Sequence, residues 1–156
     1  MSRAYTGLIR LCGIAAALLL GVVAVLVSFD VVVRNIGLGT FPWIVEVSEY
    51  SLPLATFLIA PWLLHRGEHV RIDMVLTALP GPLARLVARA ADLLGLAISA
   101  VFLFYGIRVI RDSMGLDSLV IKTMVFPEWW LFLPVPFCFA LLAIEFARRL
   151  RMSFWP

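Results

Sequence analysis

LCGIAAALLLGVVAVLVSF, residues 11–29, is nineteen residues long and carries no charge. As an α-helix it reaches about 28 Å, close to the hydrocarbon thickness of a bilayer. Asp30 ends the run, three valines follow, and Arg34 closes the segment. Arg3 and Arg10 precede it, as they would in a secretory leader. The run exceeds the apolar core of about 7–15 residues expected there, and no small-x-small cleavage site follows. It reads as a retained transmembrane helix over residues 11–35.

The rest of the chain has the same character. Of 156 residues, 63% are hydrophobic and 15% charged, and mean hydropathy is +1.03. Soluble domains carry about 25% charged residues. The composition therefore predicts an all-α integral membrane protein in one domain. The net charge of +3 is small. Basic residues beside spans set topology, and no nucleic-acid partner is expected. Cys12 and Cys138 sit in apolar runs with no metal or redox spacing, so both read as packing residues.

Three further spans emerge. Residues 50–64 are uncharged but reach only about 22 Å as a helix. Starting at Trp43 lengthens this to about 33 Å, with Pro42 suited to the first turn and Thr40 to a cap. The second span is thus 43–64, bent at Pro53 and Pro61. Residues 66–80 are polar and then amphipathic, which predicts a segment lying on the membrane surface. The third span, 83–111, follows Pro80 and Pro82. Trp129 and Trp130 mark an interface where the fourth, 127–149, begins.

Orientation follows from the arginines and lysines. Nine fall on the side of both termini and the middle loop, against four on the other side. The chain is expected to place both termini in the cytoplasm.

The polar residues then need a role. Asp30 precedes Arg34 by four positions, the favourable order for a helical ion pair. Glu46, Glu49, Tyr50 and Pro53 share one face of the second helix. The simplest arrangement brings Asp30, Arg34, Glu46 and Glu49 together at the outer rim. Three carboxylates against one guanidinium call for another cation, from Arg108, Arg111, Lys122 or a partner subunit. A static ion network, a subunit-docking contact and an ion-transport site are the alternatives. His65 and His69, four apart, lack further donors for a metal and read as surface residues near headgroups. Two stripes of small residues, Gly13/Ala17/Gly21 and Ala91/Gly95/Ser99, suit close helix approach within the chain or to a partner.

Enzyme signatures are missing: no GxSxG, P-loop, HExxH or glycine-rich dinucleotide turn. No span carries His, Asp or Lys near its centre, and the two halves show no repeat of the kind carriers use. The residues read as a support element without cofactor, catalytic group or metal site. A small membrane enzyme or haem-anchor subunit, and a stand-alone assembly protein, are the other readings.

The order of these features resembles the small membrane subunit, DctQ-like, of tripartite ATP-independent periplasmic (TRAP) transporters. The resemblance rests on DVVVRNIGLGTFPWIVEVSEY, with Arg34 and the Trp43-x-x-Glu46 pattern. It continues through HRGEHVRIDMVLTALPGP, with His69, and ends in FPEWWLFLPVPF, with Trp130-x-x-x-Pro134. Where relatives often carry glycine after the Pro-x pair, this chain has Pro136, which changes local bending. The resemblance implies four spans and a non-catalytic scaffold in the bacterial inner membrane. Its partners would be a large DctM-like permease subunit, a periplasmic substrate-binding protein and membrane lipid. The system would take up an organic acid, with sodium as the expected coupling ion. Asp30, Arg34, Trp43, Glu46 and Glu49 would form an interface clasp. His69, Arg85 and Arg89 would lie at the cytoplasmic surface, and Trp130 and Pro134 would set the start of the fourth span.

Overall fold

A computed structural model of the chain describes residues 3–66 and 80–154. The surface segment expected at 66–80 falls almost wholly outside them, as does His69.

Helix α1 spans Arg3–Asn35 and α2 spans Pro42–Arg66. Helix α3 spans Gly81–Gly115, with Pro82 in its first turn, where the missing N–H costs nothing. A hairpin follows, β1 Leu119–Ile121 and β2 Val125–Pro127. Then come α4, Trp129–Phe132, and α5, Pro134–Phe154. Four stretches are long and apolar enough to cross a membrane: Tyr5–Asn35, Pro42–Arg66, Gly81–Gly115 and Trp129–Ser153. The protein is a multi-pass, all-α membrane protein.

Two details differ from expectation. The fourth span runs as α4 and α5 with a break in its hydrogen bonding at Leu133, where Pro134 has no N–H to donate, although Leu133 itself keeps a helical backbone at φ −53° and ψ −41°. The loop ahead of it is ordered as an antiparallel hairpin that pairs Leu119 with Pro127 and Ile121 with Val125.

The first turn has a sequence cause. Gly37 adopts φ +79°, Gly37 N–H donates to the Arg34 carbonyl, and Leu38 N–H donates to that of Val33. This is a Schellman ending, which needs a left-handed residue after the last helical one. Helix α3 ends the same way around Asp117 at φ 46°: Asp117 N–H reaches the Met114 carbonyl and Ser118 N–H that of Ser113.

The helices pack mainly as two pairs, α1 on α2 and α3 on α5, joined where α2 meets α5. Leu64, Cys138 and Leu142 form a small core flanked by Phe57, Phe139 and Phe146. Both cysteines are free and buried. Much of the remaining apolar surface faces outward, including Leu18, Val25, Leu86, Leu94 and Phe104. Lipid tails are as apolar as leucine, so close packing rather than burial selects the contacts. Glycines mark them. A Cβ on Gly13 would stand 2.9 Å from the Trp62 ring, and one on Gly95 2.5 Å from that of Phe146. Pro136 packs against Gly106, whose added Cβ would lie 3.3 Å from its ring. Gly21 has open space beside it, so the first small-residue stripe is used only in part.

Candidate functional site: polar clasps at the two ends of the bundle

The polar residues gather at opposite ends. One holds the α1–α2 turn and the hairpin. The other, the terminal end, holds the start of α1 and the ends of α2 and α5.

At the turn end, the expected four-residue group separates into two clasps. Asp30, nearly buried, accepts from Arg34 Nη2 at 2.6 Å and from the Phe41 N–H at 3.2 Å. It ties the end of α1 to the residue just before α2. Phe41 stacks on Phe29 and meets Trp43 edge-on. Arg34 and Trp43 remain largely exposed.

Glu46 and Glu49 turn instead to the hairpin. Glu46 Oε1 accepts the Thr123 N–H at 2.6 Å, and Oε2 accepts that of Met124 at 3.0 Å. The carboxylate satisfies two peptide groups that the tight turn leaves without strand partners. Lys122 Nζ donates to both oxygens of Glu49, at 3.0 and 2.9 Å, and lies 5.4 Å from the centre of the Tyr50 ring. The hydrogen bond to Glu49 holds the Lys122 ammonium above its ordinary pKa. Lys122 is the cation that the carboxylate excess called for. Arg108 pairs only loosely with Asp112, at 3.9 Å.

The strongest polar site is at the terminal end, centred on Glu145. Its side chain is 0% exposed. Oε2 accepts from Tyr5 Oη and from Arg148 Nε, both at 3.1 Å. Oε1 lies 3.3 Å from His65 Nδ1, is bound by the second arm of Arg148, and stands 3.8 Å from Arg149 Nε. Arg149 also donates to the Leu64 carbonyl. One carboxylate thus joins α1, α2 and α5. The sequence marks Glu145 only faintly. Its signal was one acid after sixteen uncharged residues, with arginines three and four positions on. His65 is likewise no surface residue. Its side chain is 20% exposed and its ring meets Tyr5 edge-on.

The remaining candidates are placed as follows. Arg89 donates to the Ser153 hydroxyl and carbonyl, at 2.8 and 2.6 Å, fixing α3 to the end of α5. Arg85 bonds its own helix at the Gly81 carbonyl. Trp130 is half-exposed against Trp129 and Phe126, and Pro134 opens α5. Among the described residues, no three His, Cys, Asp or Glu side chains converge to hold a metal ion.

These groups bind helix ends to one another and to a hairpin. A comparison with curated proteins finds no match. Residues 23–154, from the middle of α1 to the end of α5, match the family described as tripartite ATP-independent periplasmic transporters, DctQ component, a family that works with a large DctM component and a periplasmic binding protein. Over that length every one of these polar groups is included except for Tyr5, and the chain belongs to the DctQ component family of TRAP transporters.

Proposed function

We propose that this chain is the small, non-catalytic permease subunit of a TRAP transporter, and that it acts as a fixed scaffold. The single observation that carries the reading is the use made of the carboxylates. Asp30, Glu46, Glu49 and Glu145 each engage a donor within the chain, at one end or the other. A carrier needs polar groups that exchange partners within the membrane, and such groups mark ion pathways. These side chains instead lock helices in place.

The long apolar faces supply the docking surface. Helix α3 is the least buried of the four spans, and it presents Leu86, Leu94, Val101 and Phe104 outward. The large permease subunit lies against such a face, and lipid covers what is left. Asp30 and Glu46 act within the clasps, while exposed Arg34 and Trp43 meet the partner at the outer rim. The chain sits in the bacterial inner membrane with both termini in the cytoplasm, where the excess of arginine lies. Uptake of an organic acid, coupled to sodium, is then the work of the large subunit and its binding protein.

Coexpression with a DctM-like permease and purification in mild detergent tests the reading. The two should copurify, and uptake should cease when this chain is deleted. Solute movement by this chain alone in sealed vesicles would overturn it.

A further inference from the structure

At the turn end, a cavity of about 900 Å³ lies between α2, the hairpin, α4 and the start of α5. Small-molecule clefts span about 300–1,000 Å³. Along α2 its wall runs from Val47 to Phe57, about 15 Å of helix. It therefore reaches from the rim toward the middle of the bundle. Pro53 lines one wall and Pro134 the other. Proline bends or breaks a helix, and two such breaks leave a hollow where straight helices would close.

Charge and apolar surface are separated along this length. Glu49 stands at the rim, with Lys122 bonded to both of its carboxylate oxygens. The two side chains are 55% and 45% exposed, so both charges of the pair stay open to a headgroup. Elsewhere the wall is apolar and bulky, with Phe57, Phe126, Trp130, Phe132 and Leu133.

We propose that this cavity binds a zwitterionic phospholipid whose headgroup carries N–H donors, of the phosphatidylethanolamine class. Its ammonium meets Glu49, its phosphate meets Lys122, and one acyl chain lies along Leu54 and Phe57. The rim pair selects the headgroup. An anionic lipid would suit Lys122 but set its charge beside Glu49. A choline headgroup has no N–H for the carboxylate, and charge-assisted hydrogen bonds are the strong ones. The wall selects an acyl chain over a helix. Membrane helices approach closely where small residues allow it. Gly13, Gly95 and Gly106 do so inside this chain. Among the described residues, no glycine or alanine lines the cavity, and Ser51, its one small residue, is buried. A flexible chain can follow such a bent and bulky wall.

The full-length chain is placed in nanodiscs of equal parts phosphatidylethanolamine, phosphatidylglycerol and phosphatidylcholine with the same acyl chains. It is then released into mild detergent, and native mass spectrometry reads the lipids retained. Phosphatidylethanolamine should predominate. Glu49→Gln should cut its excess over phosphatidylcholine about fivefold, the upper weight of one exposed ion pair, and should raise the share of phosphatidylglycerol. Glu49→Asp should keep most of that excess, which separates loss of charge from loss of fold. Lys122→Gln should lower retention of all three lipids, since each carries the phosphate. Leu54→Trp, which fills the apolar part, should release the lipid with both charges intact. Leu18→Trp, on the exposed face of α1, should change nothing. Equal retention of phosphatidylethanolamine and phosphatidylcholine would overturn the assignment. So would an excess undiminished in Glu49→Gln, or retention unaltered by Lys122→Gln or Leu54→Trp. Loss of the lipid when the large permease subunit copurifies would give the cavity to a helix of that subunit and overturn it as well.

Discussion

Tyr5 and Glu145 are 140 positions apart in sequence, and their oxygens are 3.1 Å apart in the fold. This bond joins the first turn of α1 to the middle of α5. His65 reaches the same carboxylate from α2, so the terminal end is closed by one acid. Two arginines lie beside it on its own helix.

Replacing Glu145 should therefore be the most damaging single polar change. Glu145→Ala leaves Arg148 without its anion inside a packed joint. Removing one partner of a buried pair costs about 3–5 kcal/mol. Partial exposure of Arg148 puts the expected loss at the lower end, about 3 kcal/mol. Thermal unfolding in detergent micelles measures it. Tyr5→Phe should lose less, about 1 kcal/mol, because it removes one hydrogen bond and no charge.

Glu46 holds the hairpin by its peptide groups. Glu46→Ala should raise hydrogen exchange at the Thr123 and Met124 amides while leaving that of α3 unchanged. It should also lower copurification with the large subunit. Asp112→Ala, which removes only a long exposed contact with Arg108, should change neither. Slow exchange at both amides in the Glu46 variant would refute the clasp.

The Lys122–Glu49 pair sets a pH window. Bonding to Glu49 raises the Lys122 pKa above its ordinary 10.5. A raised cation pKa stabilises the folded form fully below the unfolded value, and the gain is lost as pH climbs through the folded one. The melting temperature should therefore show no contribution from Lys122 titration between about pH 7 and pH 9, and should fall only in strong alkali. Lys122→Met should remove that alkaline component without altering the neutral plateau's shape.

Gly95 tests the packing of α3 on α5. Its added Cβ would meet the Phe146 ring at 2.5 Å, so Gly95→Ala forces that ring or the helix to move. Overpacking of this kind costs about 1–3 kcal/mol. Phe146→Leu should restore part of the loss in the double variant. Gly21→Ala, where nothing stands near the new methyl, should be neutral or slightly stabilising. A melting series of the four proteins distinguishes these outcomes.

The spans were legible because a bilayer imposes one length on every crossing. The uncharged run at 11–29, the extension of the second helix back to Trp43, and the tryptophans at 129 and 130 all express that constraint. The Asp30–Arg34 pair was legible from its spacing alone. The separation of the rim charges was not. Which donor Glu46 takes depends on a hairpin whose strands are three residues each, too short for an alternating pattern to stand out. Glu145 was missed for a related reason. A charge that closes an apolar run looks like a boundary marker, and only the arrival of Tyr5 and His65 from distant positions makes it a joint.

The hold of Glu46 on main-chain N–H groups leaves the hairpin tip open to remodelling. Met124 contributes its amide to the carboxylate, so its side chain is free to change while the loop stays moored. Proline is the exception, having no amide hydrogen to offer. A lineage, or a designer, can thus repaint that tip for a new neighbour without rebuilding the frame beneath it.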